Sequence, residues 1–122
     1  MANSPTVNML MSLPAMRNAT PGGEARGVFA GFVHDNTTIE YIEILTLSNA
    51  QDFGDLTASR NRGGITSNGT SNRGVMGGGV FSASPPYYNN VLDYFNISST
   101  GDAEDFGDLL TSGWGLAGTS NA

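Results

Sequence analysis

Asp52-Phe53-Gly54-Asp55-Leu56 returns unchanged as Asp105-Phe106-Gly107-Asp108-Leu109, 53 residues further along the chain. Laying residues 40–69 over 93–122 without a gap gives 12 identities in 30 positions. These are Tyr41/Tyr94, Ile44/Ile97, Ala50/Ala103, the five-residue block, Ser59/Ser112 and Thr66-Ser67-Asn68/Thr119-Ser120-Asn121. Separate clusters held in one register mark an internal repeat. A second block, Arg26–Val33, matches Arg73–Val80 at five of eight positions, now at an offset of 47. The difference of six residues is a change of loop length between residues 34–38 and residues 81–91. Leu13-Pro14-Ala15-Met16-Arg17 also echoes Leu56-Thr57-Ala58-Ser59-Arg60, so the chain holds about two and a half copies of one unit.

Composition limits what that unit can be. At 122 residues the chain forms one ordinary domain, and units of about 50 residues cannot each close an independent core. The core is therefore shared between copies. Seventeen glycines, abundant Ser, Thr and Asn and only 13% charged residues describe short elements joined by many turns, which predicts an all-β fold.

The alternation of apolar and polar residues places the strands. Residues 7–13 form an apolar stretch ended by Pro14, residues 18–25 are turn chemistry, and Arg26–Val33 is a short buried run whose glycines permit close approach. Residues 39–45 alternate as a strand with one wet face, Ile42 and Ile44 sharing a face from which Glu40 is excluded only if the register slips, and residues 52–57 make a short outer strand. Strands at 63–67, 73–80, 91–97 and 105–110 repeat the series as a, b, c and d, and residues 115–119 begin it a third time.

Eleven acidic residues stand against five bases, all arginine, for a net charge of −6. Such a chain repels phosphate and has no basic stripe to compensate, which argues against nucleic acid as a partner. There is no cysteine, and no stretch reaches the 18 or more apolar residues of a membrane span. The first seven residues lack the basic-then-apolar pattern of a signal peptide. The N-x-[ST] triplets at Asn18, Asn36, Asn68 and Asn96 read as accidents of an Asn/Ser/Thr-rich composition.

A period of 40–55 residues with four short strands and a glycine-bearing second strand is the mark of a β-propeller blade. The run Arg73-Gly74-Val75-Met76-Gly77-Gly78-Gly79, then Leu92-Asp93-Tyr94 with Ile97, then Asp105–Leu109, resembles kelch-like propeller repeats. More closely, it is similar to repeats of virion-associated proteins of marine bacteriophages, notably those of cyanobacteria. The resemblance spans residues 10–121. Gly77, Gly78, Tyr94 and Phe106 fall at the kelch glycines and aromatics, as do Ala30, Gly31, Tyr41 and Phe53. Ala30 and Phe32 depart from the expected glycines, and phenylalanine replaces the usual strand-d tryptophan.

The resemblance implies an organisation of an N-terminal strand or arm (1–16), a first blade with a degenerate strand a (17–60), a second blade (61–113) and a further strand a (114–122) that completes a blade, of a neighbouring subunit in the swapped arrangement. Propellers close with about four to eight blades, so two blades per chain imply a homo-oligomer. Three chains would give six blades, and two or four chains would give four or eight; a trimer fits common viral symmetry. Trp114 and Leu116 are expected at the seam between subunits. Localisation to the virion follows from the same resemblance.

The chemistry is sparse. His34 is the only histidine and sits beside Asp35 in a turn; with no cysteine and no G-x-S-x-G elbow, a hydrolase triad is excluded. Asp52, Asp55, Asp102, Glu104, Asp105 and Asp108 lack the D-x-D-x-D-G spacing of a Ca²⁺ loop and read as turn caps or partners of Arg60, Arg62 and Arg73, so neither a metal nor another cofactor is expected. Asp-Phe-Gly without a lysine is no kinase motif, and Arg73–Gly79 lacks the G-K-[ST] ending of a phosphate loop. Copper oxidase chemistry needs Tyr, His and Cys ligands that the chain mostly lacks.

The enlarged loop 81–90 is the most suggestive stretch. Tyr87, Tyr88, Asn89 and Asn90 are its candidate binding residues, the tyrosines offering flat faces and hydroxyls to a sugar ring or a protein surface. The alternative is that the loop packs on an adjacent blade or subunit. The expected function is a non-enzymatic structural or adhesive virion component that meets other virion proteins or host-surface glycans. A stand-alone carbohydrate-binding propeller is the alternative.

Overall fold

A computed structural model describes residues 25–33, 36–68, 72–80 and 85–120. The expected arm 1–16, residues 17–24 with all but the last residue of the degenerate segment 18–25, and His34 lie outside the described residues, as do residues 81–84 of the enlarged loop. Within them the chain forms strands β1 (Arg26–Ala30), β2 (Thr38–Glu43), β3 (Gln51–Asp55), β4 (Gly64–Asn68), β5 (Arg73–Gly77), β6 (Asn89–Asn96) and β7 (Glu104–Gly113). The fold is all-β. Two antiparallel meanders result, a first sheet in the order β1-β2-β3 and a second in the order β4-β5-β6-β7.

The repeat is written into the ladders. Val28 pairs with Tyr41 in the first sheet, and Val75 pairs with Tyr94 in the second. The register slips between Ile39 and Glu40 in one sheet and between Leu92 and Asp93 in the other, which are the same two positions of the unit. Each sheet also carries one polar lock on the same residues. Arg26 lies 4.4 Å above the Tyr41 ring while the Tyr41 hydroxyl donates to Gln51 at 2.9 Å. Arg73 lies 4.5 Å above the Tyr94 ring while the Tyr94 hydroxyl donates to Glu104 at 2.7 Å.

The core lies between the sheets. Alternation along the strands turns Ile39, Tyr41, Phe53 and Leu56 toward Met76 and Phe95 of the second sheet. Phe53 meets Tyr41 and Phe95 edge-on, at 5.9 and 5.5 Å between ring centroids. The loop after β6 then clasps β3, Gly101 N–H donating to the Phe53 carbonyl at 2.7 Å and Ala103 N–H to the Asp55 carbonyl at 2.8 Å. Gly54, at φ 150°, has no room for a side chain because the Gly101 carbonyl stands where a Cβ would go.

One difference between the copies shapes the chain's path. After β3 the backbone leaves the sheet at Leu56, and Thr57 and Arg60 cross to the second sheet to engage Asp93. At the matching place β7 carries Gly113 instead of Arg60. With no basic side chain to draw it across, β7 continues past the expected end at Leu110 to Gly113, which pairs with Asn89.

Residues 114–120 form no strand in the single chain. The expected third strand a is instead an extended tail on the second sheet, with Leu116 against Gly64 and Gly78, and Gly118 against the Ile65 carbonyl and Thr66. No helix among the described residues is long and apolar enough to cross a membrane.

Candidate functional site

Three chain segments meet where the enlarged loop joins β6. Val80 bridges to both Asn61 and Tyr88, so the strand-like pieces before β4, after β5 and before β6 are tied side by side. Gly115 N–H donates to the Arg62 carbonyl at 2.8 Å and draws the turn after β7 to the same place. Arg62 is held at a φ of 59°, a conformation uncommon for a residue with a side chain.

The result is an aromatic platform. The Tyr88 and Trp114 rings stack at 6.3 Å with 17° between their planes, and Tyr87 leans against Tyr88 at 6.4 Å. The Arg62 guanidinium lies 5.5 Å from the Trp114 ring centre, a cation–π contact. Tyr87 and Tyr88 are each 46% exposed and Trp114 is 50% exposed, so the apolar faces are not absorbed into the core. Flat rings beside a fixed cation suit the apolar face of a sugar ring or a protein surface with an acidic group.

The structure thus joins residues that the sequence reading kept apart. Tyr87 and Tyr88, expected to bind, and Trp114, expected at a subunit seam, form one surface. Asn89 and Asn90 do not join it, because both lie in β6. Asn89 is buried, its side-chain oxygen accepting from Val91 N–H at 2.5 Å, and the Asn90 amide reaches the Leu109 carbonyl at 3.5 Å. Leu116 lies on the second sheet, against Gly64 and Gly78. Arg62 was missed as a member of the platform. Its signal was the repeat itself, since Arg62 and Gly115 are equivalent positions, as are Asn61 and Trp114.

Of the six acids expected to cap turns or pair with Arg60, Arg62 and Arg73, none forms an ion pair with those arginines among the described residues. Asp55, Asp102 and Glu104 instead accept hydrogen bonds. Asp102 accepts from Asp55 N–H at 3.0 Å, and Asp55 accepts from the Thr37 hydroxyl at 2.7 Å. Among the described residues no group of three or more His, Asp or Glu side chains is placed to hold a metal ion. Asp93 is different: it is buried, accepts from Thr57 N–H and hydroxyl at 2.9 and 2.6 Å, and lies 2.8 Å from an Arg60 Nη. Burial pushes the Arg60 guanidinium below its ordinary pKa, and the charge of Asp93 opposes that shift. Tyr94 is raised above the ordinary tyrosine value, chiefly by its hydrogen bond to Glu104.

Comparison with protein-family models, with curated proteins and with solved structures returns no match for this chain.

Proposed function

We propose that the two sheets are consecutive blades of a kelch-like β-propeller completed by association of several copies, three being favoured. In this reading the chain is a non-enzymatic structural or adhesive component of a bacteriophage virion, and it binds other virion proteins or host-surface glycans. The observation that carries the binding role is the exposed Tyr87/Tyr88/Trp114 platform, fixed by strand bridges instead of hung on a free loop. The virion setting rests on the resemblance of the repeat alone.

The ring reading is supported by what each sheet lacks or offers. The second sheet has four strands and the first has three, with strand a missing beside β1 among the described residues. The tail 116–120 corresponds in the repeat to residues 63–67, which carry β4, and lies on the second sheet without a ladder partner. Adding that tail to the β1 edge of a neighbouring copy completes the first sheet and covers an edge open to aggregation.

The test is co-purification with phage particles together with binding to a broad glycan panel, for the parent chain and for Tyr87→Ala/Tyr88→Ala. Particle association lost in the double variant supports an adhesive virion component. A chain that neither associates with particles nor binds any surface overturns it. The stacked Tyr88 and Trp114 rings also favour a second reading, a stand-alone carbohydrate-binding propeller. It requires glycan binding that persists without particles and disappears in the double variant.

A further inference from the structure

The face of the first sheet that the second sheet covers is built from Arg26, Val28, Ile39, Tyr41, Phe53 and Leu56. At offsets of 47 and 53 these become Arg73, Val75, Leu92, Tyr94, Phe106 and Leu109. Alternation along β5 and β6 turns these away from the first sheet, because Met76 and Phe95 point toward it. The second sheet therefore repeats, on its far side, the surface that it covers on its near side. Phe53 is 2% exposed beneath Phe95, whereas Phe106, with the same edge-on tyrosine neighbour, is 50% exposed.

The complementary surface is also repeated. The second sheet covers the first with Gly74, Met76, Asp93 and Phe95, whose equivalents on the outer side of the first sheet are Gly27, Phe29, Glu40 and Ile42. Ile42 lies over Gly27 as Phe95 lies over Gly74, and Phe29 is 49% exposed where Met76 is buried. The clasping loop has its copy too. Ile44, Ser48 and Ala50 correspond to Ile97, Gly101 and Ala103, and among the described residues this copy clasps no strand: Ile44, Leu45 and Leu47 all lie exposed.

Gly107 states the vacancy most sharply. It takes a φ of 137°, close to that of Gly54, yet where the Gly101 carbonyl crowds Gly54 no atom of the described residues comes within 4 Å of a side chain placed at Gly107. The φ belongs to the bulge that both sheets carry at this position; what differs is that the space over it is filled by a loop at Gly54 and open at Gly107 among the described residues.

We propose that the far side of the second sheet is the docking surface for the outer side of the first sheet of a second copy of this chain, in the geometry of the internal joint. This rests on reading the sheets as consecutive blades and deepens it by assigning the two faces. Phe29 of the incoming copy takes the place of Met76 over Leu92, and Ile42 takes the place of Phe95 beside Phe106. Ser48 and Ala50 N–H groups donate to the carbonyls of Phe106 and Asp108, as Gly101 and Ala103 do to Phe53 and Asp55. The contact is head-to-tail, so it propagates until a ring closes. The tail at Leu116 and Gly118 is compatible with docking, since its repeat equivalent, the start of β4, borders the internal joint.

The test uses the full chain and two single variants at half-exposed positions, Phe29→Asp and Phe106→Asp, with mass measured by light scattering. The parent chain is expected as one discrete oligomer, and each variant alone as a monomer with an unchanged β-sheet circular dichroism spectrum. Mixing the two variants leaves one intact pair of faces and is expected to give a species of twice the chain mass. An oligomer untouched by both variants overturns the assigned faces while leaving assembly by copies standing. Variants that dissociate but give no dimer on mixing overturn the head-to-tail contact. A parent chain that remains monomeric at high concentration overturns both the contact and the ring reading.

Discussion

Arg60 and Asp93 meet at 2.8 Å with neither side chain reaching solvent, and they tie the crossing segment after β3 to the second sheet. The contact is ionic and poorly aligned as a directed hydrogen bond, and Arg60 Nε and Nη1 find no acceptor among the described residues. A buried pair of this kind is weak as a source of net stability but costly to break from one side. Asp93→Asn keeps an acceptor for Thr57 and strands the guanidinium. It should lower the unfolding free energy by about 3–5 kcal/mol, read from urea denaturation. Arg60→Met/Asp93→Asn should recover much of that loss.

Gly54 and Gly107 separate backbone strain from crowding. Gly107→Ala meets open space in the single chain, so its cost is the unfavourable φ, about 1–3 kcal/mol. Gly54→Ala adds a collision with the Gly101 carbonyl, a backbone group that cannot swing aside. Its cost should exceed that of Gly107→Ala clearly. Denaturant midpoints of the two variants, measured at one low protein concentration, provide the comparison.

Ionising Tyr94 discards its hydrogen bond to Glu104 and sets a phenolate beside a carboxylate, an effect that Arg73 only partly opposes. The folded-state pKa therefore lies above the unfolded value of about 10. The stabilisation is fully present below that unfolded value and is lost as pH rises through the folded-state pKa. Ultraviolet titration of Tyr94→Phe should lose a late-rising component of the phenolate absorbance, and its stability should fall less than the parent's as pH climbs through that range.

Trp114 is the only tryptophan, and one of its faces is shielded by Tyr88. Tyr88→Ala should raise quenching of its fluorescence by acrylamide and change stability by less than about 1 kcal/mol, as expected away from the core. A stability loss several times larger would mean that the stack holds the fold together instead of presenting a surface.

Much of the fold was legible because the repeat carries the strand pattern twice. All seven strands fall in stretches that alternation and turn residues mark. But the run Arg26–Val33, expected to be a buried strand, pairs only as far as Ala30 and leaves Phe29, Phe32 and Val33 exposed, because among the described residues only one face of the first sheet is covered. What was hidden required distance information. Asp93 read as one acid among eleven, because nothing local shows that a strand-c carboxylate faces the neighbouring sheet. The end of β7 was misplaced by three residues because an exit from a sheet is decided by partners far away in sequence, here by the absence of an Arg60 equivalent. The platform was half legible. Tyr87 and Tyr88 are conspicuous in their loop, whereas Trp114 and Arg62 come to them only through the bridges around Val80.

The replacement of Arg60 by Gly113 has a mechanical meaning. Within a chain the joint between sheets is continuous in backbone and clamped by a buried charge, while the proposed joint between chains would be crossed only by the tail 116–120 and would lack the charge. A ring built from such units has two grades of hinge in alternation. Pulled or swollen, it would part at every second joint and release whole chains with their internal joints closed, each ready to close the ring again.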